Sequence, residues 1–393
     1  MGGRRPEARA VTGAGRDSLH VAAARDTVAA PTDVHGARGS TATTTSPASP
    51  DTAALESDLR EGFFSDPPTV PPRWFYDEKG SLLFDRITRL AEYYPTRAEA
   101  EILRARAVDI VGDASTMVEL GAGTCEKTRV LLDVFSRRTT APPAGAAPPA
   151  GAAPPAGAAP PAGAATPAGA AAEASPLFVP VDISTEMLFD SARALAAEYP
   201  GLRVEPVVAD LTALDGPLPG EPGGRLVLFL GGTVGNFSEA QRADFLDMLR
   251  GVMDPGDRLG LGFDLVKDPA RLVAAYDDAD GVTAEFNLNM LDVISRTVEA
   301  RGLDRRDFRH EAVWNAEESR IEMWLRAVRD VRIDFPTLGR SRTLDVGAGI
   351  RTEIARKFEP YALMDELAGH GFLRGPVWTD DAGDFGLALV VVD

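Results

Sequence analysis

Four short stretches of this chain carry residue types suited to holding a nucleoside-bearing ligand and an amine at the end of a sheet. The first is Glu119-Leu-Gly-Ala-Gly-Thr124, an apolar run ending in an acid and two glycines that let backbone approach a ligand closely. A dinucleotide fingerprint needs a third glycine opening the next helix, and Glu126 and Lys127 stand there instead, so a nicotinamide cofactor is disfavoured. The second is Asp182, in the sequence PVDIS, whose carboxylate can accept both hydroxyls of a ribose. The third is Asp210 with Leu211, at the end of a further apolar run, where an adenine edge would be read. The fourth, Gly231-Gly-Thr-Val-Gly-Asn236, ends in an asparagine that can both donate and accept hydrogen bonds and so can hold an amino group.

Positions of this kind at successive strand ends match S-adenosylmethionine binding better than dinucleotide binding, and carboxylates there give a sulfonium a favourable field. Each also has a plainer reading. The glycines suit a tight turn, either aspartate suits a helix cap, and Asn236 suits a left-handed turn position. Attack on a sulfonium methyl needs no metal and no covalent nucleophile, only an unprotonated amine aligned with the carbon–sulfur bond. The four histidines (His20, His35, His310 and His370) show no zinc-ligand spacing, so no metal site is expected. The single cysteine, Cys125, excludes an intrachain disulfide. It reads as a space-filling residue near a helix start, where a thiol pKa falls, and receives no role.

The elements that must position these residues alternate. TMVELGAG, LFVPVDIS, LRVEPVVAD, RLVLFLGGTVGN and DRLGLGFDLV read as buried strands, near-continuously apolar as a sheet covered on both faces requires. EKTRVLLDVF, TEMLFDSARALAAEY, SEAQRADFLDMLRGVM and PARLVAAYDD carry apolar residues at helical spacing, and Ser238 with Gln241 forms a capping-box pattern. YALMDELAGHGF adds a helix near the C-terminus, and PVWTDD and FGLALVVVD add two closing strands. The expected architecture is an α/β, Rossmann-type sheet built from 98–266 and 357–393, with a second α+β lobe over the strand ends from 52–97 and 267–356.

Residues 1–51 lack apolar periodicity and read as a disordered tail, and 141–175 carry the hexapeptide PPAGAA four times over from Pro142, a solvated loop at the strand N-termini. Lys and Arg total 41 against 59 Asp and Glu, a net charge of -18, the wrong sign for gripping nucleic acid or anionic lipid. No apolar run is long enough for a membrane helix and no secretory leader pattern opens the chain, so a soluble, cytoplasmic, monomeric enzyme acting on a small molecule is the expectation.

Six segments, PPRWFYDEKGSLLFDRITRLAEYYPTRAEAEIL, VELGAGTCEKTRVLL, FLGGTVGNF, FDLVKDPARLVAAYDD, RIEMWLRA and RTEIARKFEP, give the chain from about residue 52 onward, the repeat excepted, a specific resemblance. It resembles the histidine N-alpha-methyltransferases of ergothioneine biosynthesis. The resemblance implies three successive methyl transfers from S-adenosylmethionine to histidine, giving hercynine. It implies cofactor contacts at Tyr76, Gly121, Lys127, Asp182, Asp210 and Leu211. It implies amino-acid contacts at Tyr93, Asn236 and Tyr276, and a side-chain pocket at Met323 and Glu353 in which the glutamate accepts an imidazole N–H. Where the family commonly has a serine two residues after that glutamate, this chain has Ala355, so a second imidazole contact is expected to be absent. Two other readings remain: an N-methyltransferase for a tryptophan-like amine, which Glu353 disfavours, and a non-catalytic S-adenosylmethionine-binding regulator. No residue type in these motifs identifies a general base.

Overall fold

The computed structural model describes residues 50–137 and 175–393. The tail expected over 1–51 and the PPAGAA loop expected over 141–175 lie outside the described residues, except for 50, 51 and 175. The chain opens with helices α1 (Pro50–Asp58), α2 (Glu78–Ile87) and α3 (Pro95–Val111). Strands β1 (Thr116–Leu120), β2 (Leu177–Asp182), β3 (Arg203–Val204), β4 (Val207–Val208), β5 (Arg225–Phe229) and β6 (Arg258–Asp264) follow, with α4 (Arg129–Phe135), α5 (Thr185–Glu198) and α6 (Glu239–Val252) between them. Helices α7 (Pro269–Tyr276) and α8 (Val282–Thr297) lead into β7 (Phe308–Asn315), β8 (Arg320–Ala327), β9 (Val331–Phe335), β10 (Arg340–Leu344) and β11 (Gly349–Arg356). Helix α9 (Pro360–Gly369) and strands β12 (Phe372–Leu373), β13 (Val377–Thr379) and β14 (Phe385–Val392) complete it.

The main sheet runs β12-β14-β6-β5-β1-β2-β3, with β4 paired to β2 and β13 to β14. β1 is parallel to both β2 and β5, and β14 closes the sheet antiparallel to β6. Alternation explains the uniformly apolar strands. Met117 faces a core with Ile102 and Leu103 of α3 and Leu131 and Leu132 of α4, while Val118 faces one with Phe245 of α6 and Leu363 of α9. Successive side chains thus bury against helices on opposite faces. Because the chain winds from β1 toward β2 and then crosses back to β5, the strand order reverses at β1, and the crevice at these C-terminal ends is where such sheets take ligands. Ser238 caps α6 with the reciprocal Gln241 bond that its spacing predicts.

LRVEPVVAD departs from the single buried strand expected of it. Two two-residue strands flank Glu205 and Pro206, and Val208 is 45% exposed, because proline cannot donate to the ladder. Asp210 therefore lies beyond the strand, in an exposed turn.

After β6 the chain leaves the sheet and returns at Phe358. The two stems are joined: Phe358 N–H donates to the Asp264 carbonyl at 2.8 Å and Val266 N–H to the Phe358 carbonyl at 3.2 Å. The excursion forms the antiparallel sheet β7-β8-β11 and the pair β9-β10. A core of Phe286, Met290 and Ile294 of α8 with Leu55, Leu59, Phe75 and Leu83 from the N-terminal helices packs beneath them. Among the described residues, no helix is long and apolar enough to cross a membrane.

Candidate active site

The turn after β1 needs its glycines. Gly121 and Gly123 have φ of 71° and 52°, and a Cβ on Gly121 would stand 3.3 Å from Leu211 Cδ1, so the glycine loop and the Leu211 segment nearly touch. Gly123 N–H donates to Asp182 Oδ2 at 3.0 Å, and Ser184 N–H to Oδ1 at 2.9 Å, which orients that carboxylate at the end of β2 while leaving lone pairs for a ligand. Ile183 and Val208 beside it are 62% and 45% exposed, an uncovered apolar surface of the kind a nucleoside base would cover. Asp210 accepts from Thr212 N–H and Oγ1–H at 2.9 and 2.7 Å, so it also serves its own turn, the plainer reading of that residue. Lys127 lies in the turn ahead of α4 and is ion-paired to the fully buried Glu99 of α3. Together these groups fit a nucleoside with a sulfonium-bearing amino-acid tail. Cys125 fits the space-filling reading, and the lowering of a thiol pKa that a helix start can give does not occur. It is buried at φ 53° ahead of α4, and burial pushes its thiol up.

Across the crevice, aromatic rings form a continuous wall. Tyr76 packs on Phe84 and Phe286, each at 5.6 Å between centroids, Phe84 on Tyr93 at 6.4 Å, and Tyr93 on Tyr276 at 6.3 Å. Although Tyr76 is 47% exposed along the cleft, its hydroxyl is driven above the ordinary tyrosine value, by burial first and then by Glu353, Tyr93, Tyr276 and Asp182. Its hydroxyl feels both the β2 carboxylate Asp182 and Glu353. Burial likewise raises Tyr93 and Tyr276, so these hydroxyls remain protonated and act as hydrogen-bond donors rather than bases.

Glu353 sits on β11 directly opposite Met323 of β8, with a register shift between Arg351 and Glu353 that re-aims the strand. Burial pushes its carboxyl up to about 7, with only Lys357 pulling it down. Ala355, two residues on and on the same face, is buried with Ile321, Ala312 and Leu272 against Tyr93 and Tyr276. Asn236 ends the 3-10 turn Thr233–Asn236 after β5. That turn docks on β11 through Gly235, where a Cβ would fall 2.6 Å from the Arg356 carbonyl, and this close approach joins the sheet to the pocket. The structure thus assembles Tyr76, Tyr93, Tyr276, Met323, Glu353 and Ala355 on one side of the crevice, Gly121, Asp182 and Leu211 on the other, and Asn236 at the seam.

A model of the histidine-specific, S-adenosylmethionine-dependent methyltransferases matches residues 55–392. The chain belongs to that family. It is 46% identical over 338 residues to a histidine N-alpha-methyltransferase of Mycobacterium tuberculosis, covering 86% of this chain and 94% of that one. It is 44% identical over 340 residues to a histidine N-alpha-methyltransferase of Mycolicibacterium smegmatis, covering 86% and 95%. An ergothioneine biosynthesis protein of Neurospora crassa is 27% identical over 277 residues, covering 68% of this chain and 27% of that one. The α/β S-adenosylmethionine-binding architecture read from the strand ends is the architecture of this methyltransferase.

Several residues of the methyltransferase's crevice escaped the sequence reading. Glu99 also accepts from Gly231 N–H at 2.7 Å, and its carboxylate occupies the space a side chain at Gly262 would fill. Its only signal was an acid lying three residues before Ile102 on the buried face of α3. Asp264 takes Lys357 Nζ at 2.8 Å and the Tyr94 hydroxyl at 2.8 Å, with Lys267 beside them, and Lys357 Nζ donates onward to the Tyr276 hydroxyl at 2.9 Å. Burial alone would raise Asp264, but Lys357 and Lys267 hold it below the usual carboxylate range. Lys357 thereby fills an acceptor position of the Tyr276 hydroxyl, which keeps its own proton to donate. Nothing in the local sequence marks this cluster.

Proposed function

We propose that this methyltransferase places methyl groups from S-adenosylmethionine on the α-amino nitrogen of L-histidine, three in succession, giving hercynine in ergothioneine biosynthesis. The observation that carries the reading is Glu353, an acceptor held by its surroundings at about 7, facing a wall of protonated tyrosines. A carboxylate so placed rewards a substrate with an N–H at the far end of its side chain, and its burial penalises one without.

In this reading Tyr76, Gly121, Lys127, Asp182, Asp210 and Leu211 hold S-adenosylmethionine, which supplies an electrophilic methyl when bound. Tyr93, Asn236 and Tyr276 hold the amino acid's backbone. Met323, Glu353 and Ala355 line its side-chain pocket. Segments 52–97 and 267–356 form the substrate lobe and 98–266 with 357–393 the methyltransferase domain. The chain's work is alignment: tyrosine hydroxyls donate to the carboxylate, Asn236 accepts from the amine, and the lone pair is left facing the methyl source.

Mass-resolved methyl transfer to a panel of free amino acids, comparing the native chain with Glu353→Ala, tests the proposal. Histidine alone gaining three methyls, with preference lost in the variant, is the expected result. The apolar surroundings of Ala355 favour one second reading, an indole-bearing amine. Histidine inert while such an amine reacts would replace the first reading with the second.

A further inference from the structure

A buried hydrogen-bond chain links α7, β7, α8 and β11. His310 of β7 has one ring nitrogen, Nε2, 2.8 Å from the Tyr276 carbonyl and the other, Nδ1, 2.8 Å from Asn287 Nδ2 of α8. Asn287 Nδ2 also reaches the Trp324 carbonyl at 3.2 Å, and its Oδ1 accepts from Thr352 Oγ1 at 2.7 Å. Asn287 and Thr352 are 0% and 1% exposed.

The direction of the bonds at His310 and Asn287 is determined. Carbonyls at Tyr276 and Trp324 can only accept, so His310 Nε2 and Asn287 Nδ2 must carry the protons. His310 Nδ1 is then an acceptor, and the flipped amide would set oxygen against oxygen at Trp324. Asn287 Oδ1, left as acceptor, takes the Thr352 hydroxyl proton at 2.7 Å, with the Met323 carbonyl of β8, 3.2 Å from the same hydroxyl, as the longer second acceptor. Burial holds the His310 imidazole below its ordinary value, against the pull of Asp277, Asp278 and Glu311, and so keeps the neutral form this pattern requires.

The ends of the chain matter most. Tyr276 is the last residue of α7, whose final carbonyls have no partner within the helix, and Thr352 is the residue at which the β8-β11 register shifts, immediately before Glu353. We propose that Thr352, Asn287 and His310 are positioning residues for amino-acid recognition, fixing the Tyr276 end of α7 and the Glu353 bulge of β11 at one spacing through a single hydrogen-bonded chain. The proposal rests on the reading of Tyr276 and Glu353 as substrate contacts. Both bind substrate before and during transfer alike, so loosening them raises KM more than it lowers kcat.

The test compares Thr352→Val, which keeps the shape but removes the hydroxyl, with Thr352→Ser, which keeps the hydroxyl. Steady-state kinetics with histidine are read beside calorimetric binding of S-adenosylmethionine. Thr352→Val is expected to raise KM for histidine about tenfold or more, with kcat within about twofold and cofactor affinity unchanged, and Thr352→Ser to restore most of the loss. Should Thr352→Val not bind S-adenosylmethionine, His310→Phe, a ring without either nitrogen, carries the same comparison with the same expected split. Unchanged KM, a fall in kcat alone, or a loss of thermal stability alone would overturn the proposal. Native-chain turnover of histidine in the same assay separately tests the function on which it rests.

Discussion

On the sheet side of the crevice, Gly121, Gly123, Asp182 and Leu211 meet through short links at the ends of neighbouring parallel strands, and backbone N–H groups do much of the orienting. On the opposite side, Tyr76, Tyr93, Tyr276, Met323 and Glu353 come from five separated segments and are held by side chains: an aromatic wall, a buried lysine pair around Asp264, and the His310–Asn287–Thr352 chain. A ligand shared by many enzymes can be gripped by a strand-end geometry that recurs. A particular amino acid has to be recognised by groups whose spacing belongs to this lobe alone. The difference implies that substitutions on one side should alter affinity for one ligand and leave the other nearly untouched.

The largest expected break in that division is Glu353→Ala. Loss of a charge-assisted acceptor should lower kcat/KM for histidine by about 10²–10³ while leaving S-adenosylmethionine binding, measured by calorimetry, within about twofold. A joint loss of both affinities would mean that the two sides are not separable.

Next in size is pH dependence. Because the folded pocket holds the Glu353 proton up to about 7, the carboxyl is neutral below that pH and charged above it. The histidine KM should therefore fall as pH rises through this window, by about threefold to tenfold per unit on the acid side. Glu353→Gln should remove that component. The substrate's own titration is common to both enzymes, so the difference between the two profiles isolates the glutamate.

Gly121→Ala probes the other side. A side chain at φ 71° and 3.3 Å from Leu211 is strained, and S-adenosylmethionine affinity should weaken about 5- to 30-fold, with the histidine KM measured at saturating cofactor little changed. The smallest effect sharpens the substrate side: Ala355→Ser returns a hydroxyl beside Glu353, and if the imidazole takes it, KM for histidine should drop by several-fold, worth about 1 kcal/mol. An unchanged KM would mean that the apolar cluster around residue 355 turns the hydroxyl away from the pocket.

The uneven legibility of the two sides has a physical origin. The strand-end glycines and aspartates could be read because β1, β2 and β5 announce themselves by continuous apolar runs, so residues just past each run fall at one sheet edge wherever the sheet forms. LRVEPVVAD makes two short strands in place of one because Pro206 interrupts the ladder that its apolar run would otherwise continue. Tyr93, Tyr276, Glu353 and Ala355 could be singled out only through resemblance, since a tyrosine or glutamate in isolation looks like any half-buried residue.

The sequence by itself determined the alternating α/β order, the ligand-facing sheet edge and the chemistry its acids and glycines allow, because those follow from local periodicity and backbone freedom. Tertiary structure alone decided that Glu99 would enter the gap at Gly262, that Lys357 would bond the Tyr276 hydroxyl, and that Thr352, Asn287 and His310 would join. Each of these depends on contacts between segments far apart in the chain, and a buried polar group finds its partner only after folding has excluded the water that would otherwise satisfy it.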